Sequence, residues 1–275
     1  MRYHSNESDR GRQKGKKSCV LIAVLITAVS SFAAKDIVMF VGAHPDDVEN
    51  CMGLALRMQD DYDVRVVDMT RGEGGCGKEG WQDGTTAVKR VAEERAVCKE
   101  LGCEPVFLTA VNYRGRAYAG PYVTSEIEKL LTEWRPKAVF VNWPIDGHVD
   151  HVQCAAAVMH AVWNVRRDHG FDPKRFSTEL YFYEEPAGET VNYRPLYYVD
   201  VTSTIRKAHE VICKYVCQNG KMIADRKLVR TAARGKEAPR PVEYAETYTT
   251  FNGERYPGGV LEKYQASFRL KGNEQ

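Results

Sequence analysis

Short apolar runs alternate with longer segments of helical spacing through most of the chain, and this order restricts the fold more than any other feature. Residues 36–42, 64–69 and 137–142 have the composition of buried strands, and helical periodicity follows each of them. Apolar strands that alternate with helices form a mostly parallel sheet covered by helices on both faces. We therefore predict a Rossmann-like α/β fold, whose binding sites lie at the carboxyl ends of the strands.

The same patterns predict the remaining elements and the domain limits. Helices are expected at about 48–60, 86–101, 124–134, 149–168 and 203–217, with further strands at 106–108, 179–183 and 196–201. Residues 35–251 are predicted to form the domain, and the polar segment 252–275 a loosely docked tail. The 275 residues are enough for one large domain of this kind.

Composition excludes several classes of protein. A hydrophobic fraction of 43% and a charged fraction of 28% are ordinary for a globular protein, so a disordered chain and a multi-span membrane protein are not expected. The net charge of +2 comes from a basic segment before residue 18, and the rest of the chain is slightly acidic. We therefore expect no nucleic-acid partner.

The first 34 residues have the layout of a signal peptide. A basic segment precedes the uncharged run Val20–Val29, and Ser31-Phe32-Ala33 provides a cleavage site after Ala33. We expect export from a bacterial cytoplasm. An uncleaved N-terminal anchor, which would attach the chain to a membrane, and a cytoplasmic location are the alternatives.

The eight cysteines do not have the paired spacings of a zinc ribbon or a disulfide framework. We interpret most of them as small buried apolar residues. Cys213 and Cys217 are four residues apart on a predicted helix, and core packing is expected for both rather than metal binding.

Two clusters of histidine and carboxylate follow predicted strands. The first supplies His44, Asp46 and Asp47, and the second supplies His148, Asp150 and His151. Either cluster alone would suit the start of a helix, where carboxylates are favoured by the helix dipole. Two such clusters at the carboxyl ends of strands in one sheet indicate a single metal site.

The residue types suit a hydrolytic zinc centre, which commonly has three protein ligands and one open position. His44, Asp47 and His151 form the predicted ligand set. Positions three apart share one face of a helical turn, so His44 and Asp47 can converge while Asp46 remains free as a general base. Zn²⁺ is expected, with another divalent metal such as Fe²⁺ as the alternative.

The second cluster offers a group for the reacting carbonyl. His148 precedes His151 by three positions, so one can bind metal while the other acts as an electrophile or proton donor. Asp150 is expected to orient His148 and to favour its charged form.

These motifs resemble a known family. Ala43-His44-Pro45-Asp46-Asp47, together with His148-Val149-Asp150-His151, is similar to the PIG-L/LmbE family of metal-dependent de-N-acetylases. The resemblance extends from about residue 36 to 246 and includes Thr70-Arg71-Gly72-Glu73, the Arg90 and Glu94 pattern, and Tyr197–Val201. It is greatest to the bacterial branch that includes the bacillithiol-pathway deacetylases.

The resemblance implies an LmbE-like fold and a role for each motif residue. It implies zinc on His44, Asp47 and His151, Asp46 as general base, His148 as the group that stabilises the oxyanion, Asp150 as its partner, and sugar contacts from Glu73 and Arg90. Two positions depart from the family pattern. Asp146 occupies a position where some relatives have tyrosine, and Asn50-Cys51-Met52-Gly53-Leu54 replaces a common Gly-Gly-Thr run.

The glycine-rich segment 71–84 is expected to be a functional loop. Residues 72–78 match the spacing of a phosphate-binding loop, but Glu79 stands where serine or threonine should bind magnesium. We interpret the segment as a pocket rim that contacts sugar hydroxyls.

The expected function is zinc-dependent removal of the acetyl group from an N-acetylated amino sugar or glycoconjugate of the N-acetylglucosamine type. An amidase acting on a thiol conjugate or an acylated metabolite is one alternative. A non-catalytic carbohydrate-binding protein is the other, and the presence of Asp46 argues against it.

Overall fold

The computed structural model describes residues 34–75, 84–113, 116–117, 120–186 and 190–265. The described residues from Lys35 onward form one compact unit. The predicted leader lies outside the described residues, apart from Ala34, and most of the glycine-rich loop does so as well. Among the described helices, none combines the length and the apolar character that crossing a membrane would require.

A seven-stranded sheet forms the centre of the domain. Its strands are β1 (Ile37–Gly42), β2 (Asp63–Asp68), β3 (Val106–Phe107), β6 (Ala138–Asn142), β7 (Glu179–Tyr183), β8 (Tyr197–Asp200) and β9 (Ala245–Thr249), and β4 (Asn112–Tyr113) pairs separately with β5 (Arg116–Ala117). The order is β3-β2-β1-β6-β7-β9-β8. Pairing is parallel from β3 to β7 and antiparallel on both sides of β9. The predicted mostly parallel sheet is confirmed.

Helices cover both faces of this sheet, as predicted. They are α1 (Met52–Met58), α2 (Gly84–Glu100), α3 (Pro121–Trp134), α4 (Val149–Asp168), α5 (Ile205–Ile212) and α6 (Gly220–Glu237). Side chains alternate along β1, so Val38 and Phe40 pack with α1, α2 and α5, whereas Met39 and Val41 pack with α3 and α4. Both faces are therefore buried, which explains the continuous apolar runs.

Several elements differ from the sequence prediction. The expected helix 48–60 begins with a 3-10 turn at Asp47–Cys51, and α5 ends at Ile212 instead of continuing to 217. Helix α6 and strand β9 were not predicted. The β9 sequence Ala-Glu-Thr-Tyr-Thr is mostly polar, yet all five residues are buried, so its composition hides a strand whose polar groups are paired inside the protein.

The described part of the C-terminal segment is well packed, so the prediction of a loosely docked tail is wrong up to residue 265. Leu261 and Tyr264 are buried in the same cluster as α1 and α5. The Arg57 guanidinium donates to the Tyr264 carbonyl at 3.2 Å and also lies over the Tyr264 ring. These contacts attach the segment to α1.

The cysteines agree only in part with the prediction. Cys51, Cys98 and Cys154 are buried free thiols, as expected. Cys217, in contrast, is disulfide-bonded, so the prediction of simple core packing at this position is wrong.

Candidate metal centre

The first motif forms a tight loop where β1 ends. The Asp47 carboxylate accepts hydrogen bonds from the backbone N–H groups of Ala43 at 2.7 Å and His44 at 2.9 Å. Asp46 lies between His44 and Asp47 in the sequence, and its φ is 117°. This left-handed conformation costs free energy for any residue other than glycine. The loop therefore holds Asp46 in a strained position beside Asp47.

The three predicted ligands converge. One candidate ligand atom from each of His44, Asp47 and His151 lies within 4.8 Å of the others, and all three residues are buried. His44 Nδ1 is 3.6 Å from one Asp47 oxygen, and His151 Nε2 is 3.6 Å from the other. Two imidazoles and one carboxylate are a donor set that suits Zn²⁺ or Fe²⁺.

A carboxylate orients the first histidine. His44 Nε2 lies 2.9 Å from Asp150 Oδ2, and the Asn112 side-chain amide donates to the same oxygen at 2.6 Å. Asp150 accepts the Nε2 proton of His44 and thereby leaves Nδ1 free to bind a metal. Asp150 was expected to orient His148, but its side chain contacts His44. His44, His148 and Asp150 form a second possible ligand set, in which Asp150 would bind the metal itself.

A second carboxylate orients His151. Asp146 Oδ1 lies 3.2 Å from His151 Nδ1 and also accepts from the backbone N–H of His148 at 2.7 Å. The Asp146 side chain is fully buried. With Nδ1 held as the protonated nitrogen, Nε2 of His151 is free to face Asp47. Asp146, which stands where some relatives have tyrosine, therefore provides the hydrogen-bond acceptor for His151.

The site attracts positive charge. Burial alone would raise the pKa of Asp47, but His151 and His44 hold it well below its usual value. Burial alone would lower the pKa of His151, but Asp47, Glu185 and Asp146 together raise it to about 12. The carboxylates therefore dominate the electrostatic field of the site and favour positively charged groups. A divalent cation suits this charge distribution.

Asp46 has the properties of a base that works near neutral pH. Burial raises the pKa of Asp46, and the Arg90 guanidinium partly offsets this effect. The Asp47 carboxylate raises the pKa further, to about 6. Arg90 Nη2 donates to Asp46 Oδ1 at 2.5 Å and to the Pro45 carbonyl at 2.5 Å. Gly72 has a φ of 68°, and a Cβ there would lie 2.6 Å from Arg90 Nε, so this glycine leaves room for the guanidinium.

Arg90 and Glu73, the two residues predicted to contact a sugar, form hydrogen bonds within the protein. Arg90 is 6% exposed and is engaged with the Asp46 loop. Glu73 accepts from the backbone N–H of Asn112 at 3.1 Å and so positions the strand that brings Asn112 to Asp150. Both side chains therefore support the site, and their contact with a sugar stays a prediction.

His148 lies against the ligands. Its ring is stacked on His151 at a centroid distance of 4.5 Å and lies edge-on to His44 at 5.0 Å. Its Nδ1 accepts from the backbone N–H of Asp150 at 3.2 Å, which places the proton of the neutral ring on Nε2. Burial and the two neighbouring histidines lower the pKa of His148, so the expected preference for the charged form is wrong.

Some residues of the site have no motif in the sequence. Asn112 occupies a two-residue strand, and Asn50 bridges the Asp47 carbonyl at 3.1 Å and Glu185 Oε2 at 2.6 Å. Neither asparagine has a spacing that predicts a role. Asp146 stood out only as a departure from a family pattern.

Residues 39–162 match the PIG-L family, described as GlcNAc-PI de-N-acetylase. This segment includes both motifs.

Solved structures of similar fold cover most of the chain. The conserved protein TT1542 from Thermus thermophilus has a TM-score of 0.64 and 22% identity, covering 80% of this chain and 96% of that one. N,N'-diacetylchitobiose deacetylase from Pyrococcus horikoshii has a TM-score of 0.63 and 19% identity, covering 83% and 88%. The 4-carboxy-2-hydroxymuconate hydratase GalB from Pseudomonas putida has a TM-score of 0.67 and 19% identity, covering 81% and 98%. At these identities the likeness concerns the fold.

Proposed function

We propose that this chain, which carries a PIG-L family domain over residues 39–162, is a zinc-dependent hydrolase that removes the acetyl group from an N-acetylated amino sugar or glycoconjugate. The observation that carries the proposal is the convergence of His44, Asp47 and His151 within 4.8 Å, with a strained Asp46 between two of them along the chain. A simple structural turn does not require this arrangement.

The chemistry follows from the positions of the side chains. A divalent ion bound here would polarise the acetyl carbonyl and make a water molecule more acidic. Asp46 accepts the proton of the attacking water and, with a pKa of about 6, can return it to the departing amine. His148 donates its Nε2–H to the oxygen on which negative charge develops. Acetate and a free amine are the products.

The fold does not identify the class of substrate. The fold is shared with a chitobiose deacetylase and also with a hydratase, so fold alone does not decide the reaction. The match to a de-N-acetylase family across both motifs favours amide hydrolysis over hydration. An N-acetylated sugar is therefore the first substrate class to test.

The test uses purified protein with zinc added. N-acetylglucosamine and N,N'-diacetylchitobiose are supplied, and both acetate and free amine are measured, because deacetylation must release them in equal amounts. N-propionyl and thiol-linked amide analogues are run beside them. Acetate release by the wild type and not by Asp46→Asn is expected. Turnover confined to the thiol-linked amides would contradict the proposed substrate.

We also propose that the protein acts outside the bacterial cytoplasm. The basic leader, the run Val20–Val29 and Ser31-Phe32-Ala33 support export. The disulfide at Cys217 is a second support, because disulfides persist mainly in oxidising compartments. Fractionation of cells expressing the full chain should recover it in the exported or membrane fraction, and recovery wholly in the cytosol would contradict this location.

A further inference from the structure

The described end of the glycine-rich segment is held between two side chains from distant parts of the chain. The Gly75 carbonyl accepts a hydrogen bond from Arg90 Nη1 at 3.2 Å and another from Gln218 Nε2 at 3.1 Å. A carbonyl oxygen has two lone pairs and can accept both hydrogen bonds at once. Arg90 and Gln218 therefore meet at one backbone atom, although they are far apart in the sequence.

Arg90 connects this carbonyl to the loop of the general base. Its Nη2 donates to Asp46 Oδ1 and to the Pro45 carbonyl, each at 2.5 Å. The guanidinium is planar and rigid, so the position of Nη1 restricts the position of Nη2. Among the residues that the structure describes, Arg90 Nε has no hydrogen-bond partner. Within this part of the chain, the Gly75 carbonyl therefore fixes the edge of the guanidinium that faces away from Asp46.

The turn that carries Gln218 is attached to the helix that carries Arg90. This 3-10 turn spans Val216–Gln218. The backbone N–H of Cys217 donates to Glu93 Oε1 at 2.9 Å, and the Tyr215 hydroxyl donates to Glu94 Oε2 at 2.9 Å. Both glutamates lie on α2, about one helical turn beyond the arginine. The turn therefore contacts the helix and the glycine-rich segment together.

The same turn has a fixed backbone. Gly220 N donates to the Tyr215 carbonyl at 2.8 Å, and a Cβ on Gly220 would lie 2.4 Å from the Ile212 carbonyl oxygen. Cys217 is buried and disulfide-bonded, which adds a covalent constraint. The Gln218 side chain therefore extends from a rigid base and can hold Gly75 in one place.

The residue type also suits this position. A side-chain amide donates a hydrogen bond without bringing a charge. A lysine in place of Gln218 would put a second positive charge beside Arg90, and the two cations would repel each other. A neutral donor therefore secures the Gly75 carbonyl and leaves Arg90 as the cation that pairs with Asp46.

We propose that Gln218 is a positioning residue for the general base. By fixing the Gly75 carbonyl against Arg90, it holds the guanidinium that keeps Asp46 in the orientation that accepts the proton of water. Gln218 acts through Gly75 and Arg90 and does not contact the substrate. This inference rests on the proposed deacetylase function and adds a residue to its site.

The test measures kcat and KM for N,N'-diacetylchitobiose in the zinc-loaded full chain, each variant at the pH of its maximal kcat. Gln218→Met keeps the length of the side chain and removes the donor. It should lower kcat by about 3- to 10-fold, as expected for one lost hydrogen bond, with KM and zinc content unchanged. Gln218→Glu, which presents an oxygen to the carbonyl, is the second variant and should lower kcat at least as much.

Two further variants separate positioning from general packing. If Gln218 acts through Arg90, the double variant Gln218→Met with Arg90→Met should have the same kcat as Arg90→Met alone. Gln59→Met is the matched control, because Gln59 Nε2 also donates to a backbone carbonyl, that of Glu100 at 2.8 Å, at the other end of α2. This control should keep the kcat of the wild type.

An unchanged kcat in both Gln218 variants would overturn the proposal. Losses that multiply in the double variant, or an equal loss in Gln59→Met, would also overturn it. Failure of the deacetylase function itself is recognised separately, by an absence of acetate with the wild type. In that case amide hydrogen exchange of residues 71–75 is compared by mass spectrometry. Faster exchange in Gln218→Met and not in Gln59→Met supports the contact, whereas equal exchange in all three proteins overturns it.

Discussion

Replacing Asp146 should weaken metal binding without removing any metal ligand. Its Oδ1 lies 3.2 Å from His151 Nδ1 and 2.7 Å from the His148 backbone nitrogen, and its side chain is fully buried. Asp146→Ala removes the group that holds His151 with Nε2 free, and it leaves two buried donors without an acceptor. Losses of metal affinity from such changes are typically about 10- to 100-fold, or about 1.4 to 2.7 kcal/mol.

Asp146→Asn separates orientation from charge. The amide oxygen can still accept a hydrogen bond from His151 Nδ1. The loss of zinc affinity should therefore be near the lower end of the 10- to 100-fold range, at about tenfold. Zinc affinity is measured by competition with a chelating dye. Asp172→Asn, which neutralises a partly exposed carboxylate paired with Arg175, is the control for net charge. Unchanged zinc affinity in Asp146→Ala would refute the assignment of Asp146 as a positioning residue.

Three further predictions concern the base and its surroundings. Asp46→Asn should keep zinc but lower turnover by about 10² to 10⁴, because an amide cannot accept the proton of water; near-normal turnover would disqualify Asp46. Arg90 lowers the pKa of Asp46, so Arg90→Met should raise that pKa and move the acidic limb of the kcat/KM profile to higher pH; a limb that moves to lower pH would contradict the pairing. Lys227 forms a buried ion pair with Glu246 at 2.8 Å, and Lys227→Met should cost about 3 to 5 kcal/mol of unfolding free energy in urea. Glu246 would keep its hydrogen bonds from the Gly53 and Leu54 backbone N–H groups and from the Tyr248 hydroxyl, but it would lose the cation that balances its buried charge. A loss below about 1 kcal/mol would contradict this prediction.

The convergence of the three candidate ligands could be predicted from the sequence because it depends on local rules. His44 and Asp47 are three positions apart, and His151 follows a strand that pairs directly with β1. Parallel neighbours bring their carboxyl ends to one edge of a sheet. A motif at the carboxyl end of each of two apolar strands was therefore enough to predict that the motifs meet, whereas the direct pairing of the two strands is known only from the structure.

The partners of these ligands could not be predicted in the same way. Asp150 was assigned to its neighbour His148, but its side chain contacts His44, which is 106 positions away. Arg90 was predicted to contact a sugar, and no sequence pattern indicated that its guanidinium donates to the Asp46 carboxylate. Strand β9 was missed because its burial depends on polar pairs such as Glu246 with Lys227, which only the assembled fold creates.

The most direct test of the account is a zinc titration of metal-free protein with acetate release as the readout. The three converging ligands predict that activity on N,N'-diacetylchitobiose is absent after chelation and rises linearly to a plateau at about one zinc per chain. The variant Asp47→Asn should bind zinc weakly and show no such rise, because it loses the charged ligand between the two histidines. Acetate release that persists in the chelated protein, or that returns equally in Asp47→Asn, would contradict the assignment of this site as the catalytic metal centre.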